Sequence, residues 1–157
     1  GGTVYSSAIQ QAGMLLLTCE GLAKYHIIMI TDGYSSETSY TSIIQNNYEN
    51  FWCLFCNNHL IGTVGVKRLN EKNCELKALY LYSDFHGKGL GYTLLEKAVT
   101  YAKEMNYEKM YLDTLSTSKK AIQLYKAAGF KEIERYNDSV TADVFMEKDL
   151  EYQLNSL

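Results

Sequence analysis

A cluster of glycines with a basic residue stands at the start of a helical pattern, in the segment DFHGKGLGYTLLEKA. Gly87, Gly89 and Gly91 lie within five residues, and a glycine inside a helix costs about 1 kcal/mol relative to alanine. Such a cluster is useful where a ligand or another backbone must approach the main chain. Unpaired N–H groups at a helix start carry partial positive charge, so a phosphate can dock there, with Lys88 as an added cation.

The same spacing is equally compatible with a tight strand-to-helix turn that binds nothing. A dinucleotide-binding fold is disfavoured, because its glycines follow the first strand of a parallel unit and precede an acidic residue by about 20 positions. Here the glycines follow a predicted antiparallel meander. The residues alone therefore leave the phosphate site and the simple turn as alternatives.

Composition places the chain among soluble globular proteins. Its 157 residues are 46% hydrophobic and 21% charged, which suits one domain with a hydrophobic core. A net charge of −3 provides no electrostatic surface for nucleic acid. The apolar runs are too short to span a bilayer and no signal-peptide pattern opens the chain, so we expect a cytoplasmic protein. The chain begins with Gly1 rather than Met, so its natural start is expected upstream.

The four cysteines are predicted to be free thiols. Cys53 and Cys56 form a CxxC within a predicted strand, where residues three apart point to opposite faces and cannot share a metal. Completing a zinc site would need further ligands at matching spacing. None is offered by Cys19, Cys74, His26 or His59, so no metal is expected.

The first half of the chain is predicted to form a helix, a buried strand and then a meander. Helical spacing of apolar residues covers 3–17, and a β-branched run at 25–31 ends in Asp32-Gly33. A polar loop at 34–41 and a short helix at 40–48 follow. Three antiparallel strands are then predicted, at 51–56, 60–69 and 74–82.

The second half alternates helices and strands. We expect a long helix over 87–105, a strand over 109–114 and a helix over 118–128 that ends at Gly129 in a left-handed cap. Two further strands are predicted at 131–136 and 140–147. The fold class is therefore α/β, with a mixed, mostly antiparallel central sheet flanked by helices.

Residues 48–150 resemble the GNAT N-acetyltransferases, which have the acyl-CoA N-acyltransferase fold. Three motifs carry the resemblance: the strand ELKALYL, a loop of the Arg/Gln-x-x-Gly-x-Gly/Ala type at 86–91, and LDT followed by AIQLYKAAGF. The tail TADVFMEKDL resembles the last strand of that family.

The resemblance implies acetyl-CoA as cosubstrate and assigns residues to it. Main-chain amides of the loop would hold its pyrophosphate, and the open edge of the preceding strand would pair with its pantetheine arm. His86 stands where Arg or Gln is usual, Ser83 where many members have proline, and Ser118 where many have Asn. A serine hydroxyl can alternatively cap the helix. The implied cofactor-binding residues are Leu79, Tyr80, Leu81, His86, Gly87, Lys88, Gly89, Leu90, Gly91 and Ser118.

The resemblance also implies the catalytic residues, Glu75 as general base and Tyr125 as the acid near the sulfur. Each has a structural alternative: Glu75 as a surface glutamate and Tyr125 as a core aromatic residue. The implied activity is acetyl transfer to a primary amine of a small molecule or peptide, by direct attack in a ternary complex. The alternative is a non-catalytic acyl-CoA-binding or protein-interaction module. We expect no nucleic acid or membrane partner, and a monomer or homodimer.

Residues 1–40 resemble part of a von Willebrand factor A domain, with GGT before a helix and IIMITDG on a strand. Thr3 and Asp32 would be metal-site residues of that family. No Asp-x-Ser-x-Ser element is present, so we expect no Mg²⁺ site. Alternatively, residues 25–31 form the opening strand of the acetyltransferase sheet. The predicted domains are 1–40 as an atypical segment, 41–150 as the acetyltransferase domain and 151–157 as a tail.

Overall fold

The computed structural model describes residues 25–29 and 47–151. In that part of the chain, seven strands form one sheet in the order β1-β2-β3-β4-β5-β7-β6. The strands are β1 (Tyr25–Met29), β2 (Asn50–Cys56), β3 (His59–Arg68), β4 (Asn73–Leu81), β5 (Lys109–Thr114), β6 (Lys131–Ile133) and β7 (Val144–Asp149). The helices are a 3-10 turn at Ser83–Phe85, α1 (Leu90–Glu104) and α2 (Lys119–Ala127).

The predicted α/β fold class is confirmed, because only β4 and β5 pair in parallel and every other neighbouring pair is antiparallel. The meander of β2, β3 and β4 follows the predicted bounds within one residue. Asn57 and Asn58 connect β2 to β3 with positive φ angles of 47° and 66°. Asparagine tolerates this conformation better than most residues, which explains a two-residue hairpin at this point.

One face of the sheet packs against α1 to form the core. The helix buries residues at spacings of three and four, as predicted: Leu90, Leu94, Leu95, Ala98, Val99 and Ala102. They meet Leu76, Met110 and Met146 from three different strands in one hydrophobic cluster. Since side chains alternate along a strand, the neighbours of these strand residues point to the other face.

β4 separates from β5 partway along its length. Their parallel pairing runs only from Asn73 opposite Lys109 to Glu75 opposite Tyr111. Beyond Glu75, no strand among the described residues pairs with the rest of β4 on that side. An open strand edge therefore faces a gap, bounded on its far side by β5, which pairs instead with β7.

A bulge in β4 accompanies this separation. Thr63 pairs with Tyr80 and Gly65 with Lys77, so three steps of β4 oppose two of β3. The bulged Ala78 has φ 53°, and Thr63 Oγ1 donates a hydrogen bond to its carbonyl at 2.7 Å. Gly62 lies against the bulge, where an added Cβ would be 2.8 Å from the Tyr80 carbonyl oxygen.

Three predicted boundaries were wrong by three residues or more. α1 begins at Leu90 rather than 87, because Gly87 and Gly89 have positive φ angles of 79° and 78° and form the turn before the helix. β6 ends at Ile133 and β7 begins at Val144, so residues 134–143 leave the sheet. Side-chain bonds shape this connection, including one from Arg135 to the Ser139 carbonyl. The left-handed cap at Gly129, with φ 93°, is confirmed.

β1 lies at one edge of the sheet, antiparallel to β2, with Tyr25 opposite Cys56 and Met29 opposite Trp52. This position agrees with the expectation that residues 25–31 supply an opening strand. Residues 1–24 and 30–46 lie outside the described residues, together with the predicted helix over 3–17, Thr3 and Asp32.

Candidate active site

A pocket of about 640 Å³ lies between the open edge of β4, the glycine loop and the start of α2. It brings together most of the residues assigned to the cofactor and the proposed acid Tyr125. These are Leu79, Tyr80, Leu81, His86, Gly87, Gly89, Gly91, Ser118 and Tyr125. Three predicted site residues do not line it: Glu75, Lys88 and Leu90.

The glycine loop presents a row of unpaired main-chain donors. Within the described part of the chain, the N–H groups of residues 87–92 make no hydrogen bond to protein. The first bonded amide after them is that of Thr93, which donates to the Gly89 carbonyl at 3.1 Å. The His86 amide is already used, since it donates to the Ser83 carbonyl at 3.1 Å. Six successive donors are therefore available to an anion, and they begin at Gly87 rather than His86.

Glycine keeps this row accessible. A Cβ added at Gly87 or Gly89 would meet nothing within 4 Å, so the space on the Cβ side of these residues is open. The side chains of Lys88 and Leu90 do not line the pocket, so these two residues add only main-chain N–H groups to the row. The Lys88 ammonium lies 5.5 Å from the centre of the Phe85 ring, and the Leu90 side chain belongs to the core.

The end of β4 forms the second wall. Because the Tyr82 amide donates to the Ile61 carbonyl at 2.9 Å, the neighbouring main-chain groups of Leu81 point away from β3 and into the gap. Nε2 of His86 donates to the Leu81 carbonyl at 2.8 Å. Leu79 and Leu81 are partly buried against the core, whereas Tyr80 is 39% exposed.

Tyr125 belongs to the core and to the pocket at once. It is 7% exposed and its ring lies 5.9 Å from that of Phe130. Burial, with a smaller contribution from the carboxylate of Asp113, raises the pKa of Tyr125 to about 12. The phenol is therefore neutral near pH 7. Its hydroxyl has no hydrogen-bond partner among the described residues, so it is available to a ligand.

Ser118 precedes α2 and lines the pocket, but its hydroxyl makes no capping bond, so the capping alternative is wrong. Sequence reasoning missed six further lining residues: Tyr92, Thr117, Lys119, Lys120, Ala121 and Leu124. Helical spacing could have found several of these, since 121 and 124 follow 118 on one face of α2.

Glu75 lies on the opposite face of the sheet from Tyr125. Its neighbours Cys74 and Leu76 point into the core cluster that includes Tyr125, so Glu75 points away from it. Glu75 is 3% exposed. Its carboxylate accepts hydrogen bonds from Tyr136 at 2.5 Å and Asn137 at 3.3 Å. The surface-glutamate alternative is therefore wrong.

Glu75 is one member of a polar network that joins β4, β5 and the β6–β7 connection. Lys77 Nζ lies 3.1 Å from Glu75 Oε1 and 3.6 Å from Asp113 Oδ2. Asn137 Nδ2 also donates to Asp113 Oδ2, at 2.5 Å. Tyr136 and Asn137 follow Glu75 by 61 and 62 residues, so no sequence spacing could have linked them.

The three cysteines that the structure describes do not line the pocket, whereas Cys19 lies outside the described residues. Cys53, Cys56 and Cys74 are free and buried, and none lines it. Within the described ranges, no three His, Cys, Asp or Glu side chains are grouped to hold a metal ion. Residues 25–29 and 47–151 contain no helix with the length and apolar character needed to cross a bilayer.

The sequence model of the acetyltransferase (GNAT) family matches residues 21–130, which is more than two-thirds of the chain. The chain belongs to the GNAT acetyltransferase family. The match begins before β1, so the family resemblance extends further toward the N-terminus than residue 48.

Individual proteins with similar sequences are also described as N-acetyltransferases. The GNAT chain is 46% identical over 65 residues to an N-acetyltransferase of Dictyostelium discoideum, covering 41% of this chain and 30% of that protein. It spans 30% to 52% of the length of three curated relatives it matches.

Solved structures show the same fold. A GNAT acetyltransferase of Staphylococcus aureus superposes with a TM-score of 0.67 at 26% identity, covering 71% of this chain and 76% of that one. The PaiA N-acetyltransferase of Thermoplasma acidophilum, solved in complex with coenzyme A, superposes with a TM-score of 0.59 at 25% identity. That match covers 74% of this chain and 72% of that protein.

Proposed function

We propose that this GNAT chain transfers an acetyl group from acetyl-CoA to a primary amine, by direct attack within a ternary complex. One observation carries the proposal: the amides of residues 87–92 have no protein partner among the described residues, and Gly87, Gly89, Gly91 and Tyr92 line the same pocket as the open edge of β4. Acetyl-CoA contains a diphosphate next to an arm with amide groups. The two sets of main-chain partners suit these two parts.

The residues fit this cosubstrate in size and in chemistry. The pocket of about 640 Å³ lies within the range of small-molecule sites. The N–H groups from Gly87 to Tyr92 would hold the diphosphate, and the main chain of Leu79 to Leu81 would pair with the arm. Ser118 would add a hydroxyl. When bound, acetyl-CoA supplies the thioester that carries the acetyl group.

Tyr125 would stabilise the thiolate that leaves. Full proton transfer from a phenol with a pKa of about 12 to a thiolate of pKa ~8.5 is unfavourable by roughly 5 kcal/mol. A hydrogen bond from the neutral phenol has no such cost and strengthens as charge develops on sulfur. We therefore assign Tyr125 as a hydrogen-bond donor to the sulfur, and the thiolate takes its proton later from solvent.

Glu75 is our proposed base for the acceptor amine. An amine with the pKa of lysine is mostly protonated at pH 7, and removing that proton costs about 4–5 kcal/mol. Glu75 lies where β4 and β5 separate, on the face opposite the pocket. An amine approaching from that face would reach the gap without crossing the cosubstrate. Glu75 accepts the proton directly or through water.

Direct transfer is favoured over a covalent acyl-enzyme. Burial raises the pKa of Cys53 well above the ordinary range, and burial with nearby carboxylates raises that of Cys74 to about 12. A thiol must ionise to attack a thioester, so neither group is an effective nucleophile. We propose a primary amine of a small molecule or peptide as acceptor.

The test combines coenzyme A binding with turnover. Calorimetry should show one coenzyme A per chain, and release of free thiol from acetyl-CoA should depend on an added primary amine drawn from polyamines, amino acids and peptides. Binding without thiol release for any amine would favour a non-catalytic acyl-CoA-binding module. Failure to bind coenzyme A would contradict the proposal as a whole.

A further inference from the structure

Lys77 brings a primary amine of the protein itself to the proposed base. Its Nζ lies 3.1 Å from Glu75 Oε1 and 3.6 Å from Asp113 Oδ2. Among the lysines that the structure describes, Lys77 is the one whose ammonium pairs with Glu75. A group of the class proposed as acceptor is therefore already in contact with the group proposed to take its proton.

Lys77 also lies at the gap where β4 and β5 separate. The pairing of the two strands ends at Glu75, and Lys77 follows two residues later. Its side chain, which is 31% exposed, reaches from β4 to Asp113 on β5. Leu79, which lines the pocket, is two residues further along β4, a distance of about 7 Å along a strand. Lys77 is therefore anchored close to the pocket wall, and its amine is carried on a flexible four-carbon stem.

Asp113 is close to groups on both faces of the sheet at this gap. Burial is the main reason why the pKa values of Tyr125 and Tyr136 are raised, and the Asp113 carboxylate contributes to both shifts. Tyr125 lines the pocket, whereas Tyr136 binds Glu75 on the opposite face. A charge acts appreciably on two groups only where it is near to both. The ion pair of Lys77 with Asp113 is therefore near the tyrosine assigned to the sulfur as well as near Glu75.

We propose that Lys77 is an internal acceptor: when no external amine is bound, its Nζ attacks the thioester carbon of acetyl-CoA and becomes acetylated. This inference rests on the proposed function. Nζ first gives one proton to Glu75 and then forms a bond to the acetyl carbon. The carbon–sulfur bond breaks, its electron pair leaves with the thiolate, and the second proton released from Nζ neutralises that thiolate through solvent. Acetylation removes the charge of Lys77, so Glu75 and Asp113 lose the cation between them.

The experiment follows transfer from acetyl-CoA with a deuterated acetyl group to the full chain, without added amine. The deuterium label separates new acetyl groups from any acquired during expression. Peptide mass spectrometry should locate one labelled acetyl group per chain, at Lys77. Because proximity and a positioned base act only there, we expect acetylation at least about tenfold faster than at the other lysines. Its rate constant should not change with protein concentration, as for transfer within one chain.

Other lysines report the uncatalysed background. The side chains of Lys72 and Lys131 are 70% and 65% exposed, so reaction with accessible amines alone would label them before Lys77. Lys109 is the matched control, since it also pairs with carboxylates and its side chain is 38% exposed. Lys109→Arg should leave the labelling of Lys77 unchanged, whereas Lys77→Arg should remove the fast phase of labelling.

The role of the base separates a catalysed reaction from simple accessibility. Glu75→Gln should slow the labelling of Lys77 by about tenfold or more, while the labelling of Lys72 stays constant. An unlabelled acetyl group already present on Lys77 of the parent, and absent from the Glu75→Gln variant, would support the same conclusion. An external amine that the enzyme acetylates should also slow the labelling of Lys77, because both amines need the same base.

The outcomes separate this inference from the proposed function. Labelling of Lys77 no faster than that of Lys109 would overturn the internal-acceptor role, and so would a rate constant that rises with protein concentration. If an external amine is acetylated in those cases, the proposed function stands. Absence of coenzyme A binding would overturn both.

Discussion

The Tyr136 hydroxyl donates to Glu75 Oε2 at 2.5 Å and so ties the connection between β6 and β7 to the buried middle of the sheet. This contact anchors residues 134–143, which lie outside the sheet, to the buried carboxylate of Glu75. It also holds Glu75, which is 3% exposed, in a single orientation near the point where β4 and β5 separate.

Tyr136→Phe is expected to lower the free energy of unfolding by about 1–3 kcal/mol, because a hydrogen bond to a buried charged group is lost. Urea denaturation measures this change. Tyr111→Phe is the matched control, since its ring packs 4.9 Å from that of Tyr136 but its hydroxyl has no hydrogen-bond partner among the described residues. The control should change stability by less than about 0.5 kcal/mol. Equal effects of the two substitutions would contradict the assigned role of the Tyr136 hydroxyl.

Tyr125→Phe is expected to lower kcat by about 10²-fold or more, because the donor to the developing thiolate is removed. The dissociation constant for coenzyme A should change less than about threefold, since the loop amides and the β4 edge are untouched. The melting temperature should also stay near that of the parent, because the hydroxyl has no partner in the described structure. Steady-state kinetics, calorimetry and thermal unfolding together check this. Unchanged kcat would leave Tyr125 as a core aromatic residue.

Gly89→Glu is expected to raise the KM for acetyl-CoA steeply, because its side chain would project into the open space beside the loop amides. Gly89→Gln is the matched control. Both variants share the strain of a side chain at φ 78°, about 1–2 kcal/mol, but only glutamate repels the diphosphate. We expect a difference of about tenfold between them at low salt, smaller at high salt. If the glutamate variant bound coenzyme A normally, the diphosphate would lie elsewhere.

Stability should fall at alkaline pH because of Cys74. Burial, chiefly, raises its pKa from the ordinary value of 9.0 to about 12 in the folded protein. The stability gained from keeping this thiol protonated is complete below pH 9 and is lost as the pH rises from about 9 toward 12. The expected slope is about 1.4 kcal/mol per pH unit for this group.

Urea denaturation at pH 7.5, 9 and 10 measures this slope. Cys74→Ala should be less stable than the parent at pH 7.5, because it leaves a cavity, but should lose less stability above pH 9. Val66→Ala is the control, since it truncates another fully buried side chain and keeps the thiol. Its stability should fall with pH as steeply as that of the parent. Identical slopes in Cys74→Ala and the parent would mean that the thiol is accessible to solvent.

Local patterns account for much of the fold and for one wall of the site. The glycines at 87, 89 and 91 predicted a turn with accessible amides, and the spacing from Leu90 to Ala102 predicted the buried face of α1. Both features depend on residues within a few positions of each other. The resemblance to the family predicted a role for Tyr125 near the sulfur, and Tyr125 lines the pocket.

Only the tertiary structure decided how these parts are arranged. Three features depend on residues far apart in sequence, by up to 61 positions. They are the separation of β4 from β5, the bulge at Ala78 and the hydrogen bond from Tyr136 to Glu75. Sequence reasoning also missed that His86 uses its amide on Ser83 and its ring on Leu81, because a loop side chain has no periodicity to indicate its partner. Hydrophobic periodicity and turn-forming residues act over a few positions, so they can be identified from the sequence. Contacts between distant strands depend on the whole packed sheet, so they appear only once it has formed.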